Sequence, residues 1–452
     1  MTLAVPTARV EQAPLPTPTV PAVAGARLRV PLVDGRTVPY ANLDHAASAP
    51  CLDAVRDAVD ELLPWYASVH RGAGFASQVS TKVYERARRV LRRFVGAHDT
   101  DTVVFTRNTT DSLNLLAKAL PRATSVVLFD TEHHAALLPW RGPNVLRVQT
   151  PAVAIDAVAV LDEALRSTPV GPRLVVLTAA SNVTGEVWPI KALSAVARSH
   201  GARIVLDAAQ LAPHRPIDIR ALDVDYVVLS GHKLYAPFGS GALIGRADWL
   251  KAAEPYLVGG GATAQVVDRG DQLGVAWAAV PERHEAGSPN VVGAHALAVA
   301  CETLAKDWDA VIAHERALLR RLRAGLATVP GLRSLSLFGA EHDRVGVVSF
   351  TIDGVEAGLV AAVLSAEHGI GVRDGAFCAH IATRRLLDRA GAQEERAVRI
   401  SLGLGTRAEH VDRVVAALRT LVADGPAVPY ALVEGRWAPV DDQRGLPAFL
   451  AE

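Results

Sequence analysis

Five successive runs of strand-forming residues end in polar or ionisable side chains of types that can do chemistry. The last run, "YVVLS", ends at Ser230 and is followed by His232 and Lys233. The other four are followed by Arg107, Asn108 and Thr109, by Glu132, His133 and His134, by Ser181 and Asn182, and, after a run ending at Asp207, by Gln210. A lysine amine can bind an aldehyde covalently, and a buried carboxylate can hold a protonated ring nitrogen.

A hydroxyl-rich helix start adds an anion site to this set. The stretch "NTTDSLNLL" begins at Asn108 and would offer free backbone N–H groups and the positive end of a helix dipole. An amine, a carboxylate and an anion site together suit pyridoxal 5′-phosphate. Singly, each residue also has a structural explanation, such as a helix cap for Asp207 or a surface position for His133. Their coincidence at five strand ends favours a cofactor site, and the absence of GxGxxG and GxxxxGK[ST] patterns disfavours nucleotide binding.

The strands that must position these residues are continuous apolar runs. Such runs indicate strands buried on both faces, as in a parallel sheet covered by helices. The predicted strands are 102–106, 125–130, 173–180, 203–209, 225–230 and 241–245, and predicted helices at 109–120 and 190–201 lie between them. This alternation predicts an α/β fold, in which ligands bind beyond the carboxyl ends of the strands.

The pattern changes after residue 292. A long helical stretch at 294–328 precedes strand-like runs within 346–353, 369–378 and 397–405 and a last helix at 409–425, which together predict a smaller α+β unit. The predicted organisation is a disordered or extended tail at 1–35, a large domain at 36–292 whose first residues are free to pack on the small domain, a small domain at 293–425, and an extension at 426–452 that packs as an irregular strap.

Composition excludes several classes of partner. The 452 residues carry 47 basic and 47 acidic side chains, so no net charge favours nucleic acid or a membrane surface. The widely spaced Cys51, Cys301 and Cys378 predict neither disulfides nor a metal site and fit a reducing cytoplasm. No apolar run approaches the roughly 18 residues that span a bilayer, and the N-terminus does not read as a signal peptide.

Several motifs, in this order, resemble the class V aminotransferase family of fold-type I enzymes dependent on pyridoxal phosphate. They are "LDHAASAP", "SVHRG", "VFTRNTTDSLNLL", "TEHHAALLPW", "TAASNVTGEVWPI", "RIVLDAAQ" and "GHK". Within the family they are similar to the group II cysteine desulfurase and selenocysteine lyase branch, over about residues 41–421. The resemblance implies a large domain with a mostly parallel seven-stranded sheet, a smaller α+β domain, and pyridoxal 5′-phosphate as cofactor.

The resemblance also implies roles for individual residues. Lys233 would form the Schiff base and move the proton at the substrate Cα, Asp207 would pair with the ring nitrogen, Gln210 would bind the ring hydroxyl, and His133 would stack on the ring. The implied phosphate contacts are Asn108, Thr109, Ser230 and His232. Asn182 would lie beside cofactor and substrate, and Arg399, Arg373 and His45 would bind the substrate. Ser288, in "RHEAGSPN", would touch the phosphate of a partner subunit, which implies a homodimer.

The role of Cys378 distinguishes between the reactions that members of this family could catalyse. "VRDGAFCAH" resembles the loop that carries the desulfurase nucleophile, although Ala376 and Phe377 stand where two histidines are usual. With Cys378 as the nucleophile, the protein would cleave the C–S or C–Se bond of cysteine or a related amino acid, form a persulfide, and pass sulfur to an acceptor protein. With Cys378 as a buried packing residue, a lyase acting on a modified cysteine, an epimerase or an aminotransferase fits. A non-catalytic binding protein is the third alternative.

Overall fold

The computed structural model describes residues 20–70 and 72–450, which contain nineteen strands and thirteen α-helices. The strands are β1 Arg29–Pro31, β2 Thr37–Pro39, β3 Ala41–Asn42, β4 Thr102–Thr106, β5 Ser125–Phe129, β6 Val145–Val148, β7 Arg173–Thr178, β8 Arg203–Asp207, β9 Tyr226–Ser230, β10 Gly241–Gly245, β11 Thr263–Asp268, β12 Leu273–Trp277, β13 Leu332–Ser334, β14 Val347–Ile352, β15 Ile370–Gly371, β16 Arg373–Gly375, β17 Ala397–Ser401, β18 Tyr430–Val433 and β19 Arg436–Pro439. The helices are α1 Asp53–Leu62, α2 Phe75–Phe94, α3 Thr109–Ala119, α4 His134–Leu137, α5 Asp156–Arg166, α6 Ile190–Ser199, α7 Ile219–Leu222, α8 Asp248–Ala252, α9 Val291–Ala305, α10 Trp308–Leu326, α11 Ala357–His368, α12 His380–Ala390 and α13 Ala408–Asp424.

A seven-stranded sheet forms the centre of the larger unit. Its strand order is β4-β10-β9-β8-β7-β5-β6, and β10 alone runs antiparallel to its neighbours. Alternate residues of each strand enter two different hydrophobic clusters, as Val103 and Val104 of β4 do. Burial of both faces explains the continuous apolar runs in the sequence. The predicted α/β fold with a mostly parallel seven-stranded sheet is confirmed.

A second sheet lies in the C-terminal part of the chain. It is antiparallel, in the order β13-β14-β17-β16, and it packs with α10, α11 and α13 around a separate core. That core includes Ala41 and Leu43, because β3 pairs in parallel with β15. The first residues of the predicted large domain therefore pack on the smaller unit.

The domain boundaries remain predictions. The packing of α9 bears on the boundary predicted at residue 292. Helix α9 starts at Val291, at the predicted boundary, yet its buried face through Leu304 belongs to the core of the larger unit. The single helical stretch expected at 294–328 is two helices. Asp307 caps the second of them by accepting a hydrogen bond from the Ala310 N–H at 3.0 Å.

The two terminal segments differ from the expectation of loose tails. Within residues 20–35 of the predicted tail, β1 forms a strand that pairs with β2 just beyond it, while residues 1–19 lie outside the described residues. The C-terminal extension is not an irregular strap, since β18 and β19 form an antiparallel hairpin. Side-chain hydrogen bonds anchor this hairpin to α11 and its N-cap, from Tyr430 to Glu367 at 3.1 Å and from Trp437 to Glu356 at 3.1 Å. Of the helices in the described part of the chain, none is long and apolar enough to cross a membrane.

Candidate active site

The polar residues at the strand ends line one cavity of about 220 Å³ between the two units. Because the carboxyl ends of parallel strands meet at one edge of a sheet, residues far apart in sequence converge there. The predicted site residues on its walls are Asn108, Thr109, His133, Asn182, Asp207, Gln210, Ser230, His232, Lys233, Arg373, Cys378 and Arg399. The structure thus brings together twelve of the fourteen residues predicted for the site.

Lys233 and Asp207 form the charged pair of the cavity. Lys233 follows β9, and Asp207 is the last residue of the neighbouring β8. Burial lowers the pKa of Lys233 to about 8, against the opposing effect of the Asp207 carboxylate. Burial likewise raises the pKa of Asp207, against the opposing effect of Lys233 and of a hydrogen bond from the Ala209 N–H at 3.0 Å. The amine is therefore available in its neutral form close to neutral pH.

The N-terminus of α3 forms an anion site at one end of the cavity. Asn108 caps the helix by accepting from the Asp111 N–H at 3.1 Å. Ser230 accepts from the Thr109 N–H at 2.9 Å and donates to the Thr109 hydroxyl at 3.0 Å. These hydroxyl groups, with Thr110 and His232 nearby on the cavity wall, surround the positive end of the helix dipole.

His133 and Gln210 are fixed by hydrogen bonds to the main chain. His133 caps the short helix α4, and its Nδ1 accepts from the Ala135 N–H at 3.0 Å. Burial, with the positive charge of Lys233 as a second cause, lowers the pKa of His133 to about 3, so the ring is neutral. Gln210 is buried and donates its Nε2 hydrogen to the Ala46 carbonyl at 2.8 Å.

Glu132 and Thr178 support this wall and were not assigned as site residues from the sequence. Glu132 is fully buried, and one of its carboxyl oxygens accepts from the Thr178 N–H at 3.0 Å while the other bonds the Thr178 hydroxyl. Thr178 stands beside Asp207 in the register of β7 and β8. Burial raises the pKa of Glu132 to about 8, so this carboxyl is protonated at neutral pH. Its position directly before His133 was the signal that could have found it.

Arg399 is held by two hydrogen bonds on the side of the cavity that the smaller unit forms. It comes from β17 and is buried, with 3% of its surface exposed. Its Nη1 donates to the Asn182 carbonyl at 3.0 Å and its Nη2 to the Asp44 carboxylate at 3.0 Å, while its buried Nε has no protein partner among the described residues. Arg373 approaches the other oxygen of Asp44 at 4.0 Å. Asp44 was missed as a site residue, although it lies in the motif "LDHAASAP".

Cys378 is exposed at the cavity and is not a buried packing residue. It follows β16 in a turn in which Phe377 and Cys378 both have left-handed backbone conformations, with φ of 52° and 53°. The Cys378 carbonyl accepts from the His134 N–H at 2.8 Å. A thiolate at Cys378 would raise the pKa of both Lys233 and Arg399. Cys301 is fully buried in α9.

Two of the predicted residues do not lie on the described walls of the cavity. His45 is buried against Tyr235 and the backbone of Gly403, so the structure does not bring it to the cavity where the resemblance implied that it would bind substrate. Burial lowers the pKa of His45 to about 4. Ser288 is exposed beyond the cavity.

A larger cavity of about 1130 Å³ adjoins this site. Asp44 and Arg373 line it on the side of the active site, and Glu434, Arg436 and Trp437 of the C-terminal hairpin line it on the other. The extension at 426–452 therefore helps to form the surroundings of the site, a contribution that the sequence did not indicate.

The residues present fit pyridoxal phosphate. The buried Asp207 carboxylate has one positive group nearby, the Lys233 amine. The ring N–H of pyridoxal phosphate would give this carboxylate a second partner. The N-terminus of α3 has the hydroxyl and N–H donors that a phosphate needs, and Gly241 keeps the backbone close there, since an added Cβ would lie 2.7 Å from the Asn108 Cα. Lys233 supplies an amine with a lowered pKa beside these groups.

The comparison with known families gives the class of the protein. The pattern of the aminotransferase class-V family matches residues 41–414, and the chain belongs to this family, whose members use pyridoxal phosphate. This confirms the family and the cofactor that the sequence motifs predicted.

The individual proteins to which the chain is similar include several cysteine desulfurases. A probable cysteine desulfurase of Vibrio cholerae is 34% identical over 406 residues, which cover 86% of this chain and 95% of the relative. A cysteine desulfurase of Dickeya dadantii is 36% identical over 397 residues, covering 85% and 92%. Among solved structures, the apo cysteine desulfurase of Thermococcus onnurineus NA1 has a TM-score of 0.75 at 29% identity, covering 89% of this chain and 98% of its own. The cysteine desulfurase CsdA (S-sulfonic acid) of Escherichia coli has a TM-score of 0.71 at 33% identity, covering 84% and 94%.

Proposed function

We propose that the protein is a cysteine desulfurase dependent on pyridoxal phosphate, which removes sulfur, or selenium, from cysteine or a related amino acid. The observation that carries the proposal is that Cys378 is exposed on the wall of the cavity that Lys233 and Arg399 also line. The relatives named as cysteine desulfurases support the same reaction. A lyase, epimerase or aminotransferase reaction would not need a thiol at this position.

The residues of the cavity have separate proposed roles in binding the cofactor and in moving a proton. Bound pyridoxal phosphate would supply an electron sink for bond breaking next to the substrate Cα. Lys233 would hold its aldehyde and move the Cα proton, Asp207 would hold the ring nitrogen, and the α3 N-terminus with Thr109 and Ser230 would hold the phosphate. Asn108, Gln210, His133 and His232 line the same wall and are proposed as further cofactor contacts.

Arg399 would bind the substrate carboxylate, because its buried guanidinium retains N–H groups without protein partners in the described structure. Asn182 and Arg373 complete this end of the cavity. The Cys378 thiolate would attack the substrate sulfur, so that an S–S bond forms and the C–S bond breaks. Cysteine and the enzyme thiol then become alanine and a persulfide, with no outside oxidant needed.

The experiment compares two cysteine substitutions. The purified protein with its cofactor is incubated with L-cysteine and with a panel of sulfur-substituted amino acids, and alanine, pyruvate and racemised products are measured. Cys378→Ala should lower the rate of alanine release by about 100-fold or more while the visible absorption band of the cofactor is kept. The matched control is Cys51→Ala, because Cys51 lies outside the cavity walls. Full activity of Cys378→Ala would refute the desulfurase proposal and favour another reaction of the family.

We further propose that the protein is a homodimer with shared active sites and passes its sulfur to an acceptor protein. Ser288 lies in an exposed loop outside the cavity, where it would be free to reach the phosphate site of a partner subunit. The exposure of Cys378 would allow an acceptor thiol to approach the persulfide.

A further inference from the structure

The turn that presents Cys378 is held in an unfavourable backbone conformation. Phe377 and Cys378 are consecutive non-glycine residues with φ of 52° and 53°, a region that L-residues with side chains rarely adopt. Hydrogen bonds to both carbonyl groups hold this conformation. Asn182 Nδ2 donates to the Phe377 carbonyl at 2.7 Å, and the His134 N–H donates to the Cys378 carbonyl at 2.8 Å. The surrounding structure therefore fixes the position of the thiol.

The ring of Phe377 connects this turn to Arg399. The centre of the Arg399 guanidinium lies 5.1 Å from the centroid of the ring, and both side chains are buried. Arg399 in turn donates to the carbonyl of Asn182, whose side chain holds the Phe377 carbonyl. Asn182, Phe377 and Arg399 thus form a closed cycle of contacts, with Cys378 attached to one of its members.

An aromatic face next to a buried guanidinium attracts the cation and limits its orientation. Because Asn182 and Asp44 occupy two of its N–H groups, the ring helps to decide where the remaining groups point. A leucine in place of Phe377 would fill much of the volume but would lack the aromatic face. The side chain next to the proposed nucleophile therefore also determines the direction of the proposed carboxylate-binding group.

We propose that Phe377 is a positioning residue that couples the carboxylate-binding guanidinium of Arg399 to the turn that presents Cys378. It sets the separation between the bound carboxylate and the thiol, and so selects amino acids whose sulfur lies at that distance from their carboxylate. The inference rests on the proposed function in that Arg399 binds the substrate carboxylate. The inference adds Phe377 to the site, because Phe377 contacts the Arg399 guanidinium and directly precedes Cys378 in the chain.

The test uses Phe377→Leu, Phe377→Tyr and the control Phe338→Leu in the holoenzyme. Phe338 packs against Trp188 and does not line the cavity. Phe377→Leu should raise KM for L-cysteine by about tenfold, with a smaller fall in kcat, because orientation of the carboxylate site is lost. It should also speed the alkylation of Cys378 by iodoacetamide, measured by mass spectrometry against Cys51 in the same molecule. Phe377→Tyr, which keeps the aromatic face, should restore both values to near those of the wild type.

The outcomes separate a coupling role from packing and from failure of the proposed function. Unchanged KM and alkylation in Phe377→Leu, with a normal cofactor band, would overturn the proposal, as would Phe377→Tyr behaving like Phe377→Leu. If Phe377→Leu fails to take up the cofactor, Phe377→Met tests the same loss of the aromatic face. If the wild type releases no alanine from L-cysteine, the desulfurase proposal fails on its own. The affinity for L-alanine, followed by the cofactor band, and the alkylation rate then still test the coupling.

Discussion

Burial moves the ionisable side chains of this site toward their neutral forms. It lowers the pKa of Lys233 to about 8 and that of His133 to about 3, and it raises that of Glu132 to about 8. A lysine that is partly neutral at physiological pH can act as a nucleophile and as a base, which an exposed lysine does poorly. The neutral ring of His133 is suited to lie against another ring, because it carries no charge that would have to be desolvated.

The lowered pKa of Lys233 predicts how the stability of the cofactor-free protein depends on pH. Between about 8 and the ordinary value of 10.5, the unfolded chain binds more protons at this lysine than the folded protein does. The contribution of Lys233 to the free energy of unfolding should therefore rise with pH through this window. Lys233→Met should be the more stable protein at pH 7, and its advantage over the wild type should shrink as the pH rises from about 8 toward 10.5.

Urea unfolding of both cofactor-free proteins across this range measures the effect. Comparison of the two proteins cancels the titration of groups whose pKa does not depend on Lys233. Lys251→Met is the control, because Lys251 is an exposed lysine on α8, outside the cavity. A constant difference between Lys233→Met and the wild type across the window would contradict the lowered pKa.

At the scale of elements, the cofactor site depends on close approach of strands and a helix start. Gly241 begins β10, the one reversed strand of the central sheet, and lies between β9 and the N-cap of α3. A Cβ added there would lie 2.6 Å from the Leu229 carbonyl oxygen and 2.7 Å from the Asn108 Cα. Both are backbone atoms, so a side-chain rotation cannot relieve the contact.

Gly241→Ala should therefore displace the first turn of α3 and weaken the proposed phosphate site. We expect a loss of about 1–3 kcal/mol in stability, as is typical of overpacked sites, together with faster loss of the cofactor on dialysis. Thermal unfolding and the visible cofactor band measure the two effects. Gly445→Ala is the control, since a Cβ there meets no atom within 4 Å. Cofactor retention equal to the wild type, with a normal melting temperature, would show that the contact does not constrain α3.

The sequence pattern predicted the strands whose residues are buried one after another along the chain. It did not predict strands that are only partly buried. The runs at 102–106 and 241–245 are the strands β4 and β10 with the predicted bounds. The edge strand β6 was not predicted, because Val145–Val148 is only partly buried and contains Arg147. The C-terminal hairpin was not predicted either, since half of its strand residues are exposed and only Pro439 is buried, and short strands without a buried face leave no strong pattern.

At the scale of the whole molecule, the sequence identified the strand ends but not how the two units meet. Lys233, Asp207 and Thr109 were accessible to prediction because each lies directly at the end or the start of a strongly patterned element. The contact between Arg399 and Asp44 joins residues 355 positions apart, and no local pattern decides that Asp44 contacts Arg399 while His45 is buried away from the cavity walls. Such choices depend on tertiary packing, here on the burial of His45 against Tyr235 and Gly403.

The exposed apolar surface around the hairpin of β11 and β12 bears on the proposed homodimer. Leu273 is 68% exposed and Val266 54%, and the preceding Val258 is 75% exposed. Large exposed apolar side chains that lie together are typical of an interface between proteins. The loop that contains Ser288 lies next to the start of this hairpin, because the Gly287 N–H donates to the Gly260 carbonyl at 2.7 Å, so a partner subunit docked on this face would lie close to it.

Leu273→Asp should therefore weaken the dimer, because it places a charge in surface that association would remove from water. We expect the wild type to sediment as a dimer at micromolar concentration and Leu273→Asp to raise the dissociation constant by about tenfold or more, with weaker retention of the cofactor. Analytical ultracentrifugation measures the dissociation constant, and the visible absorption band of the cofactor measures its retention. Leu446→Asp is the control, since Leu446 is also exposed, at 74%, but lies in the C-terminal extension. A monomeric wild type, or equal dissociation of both variants, would contradict this interface.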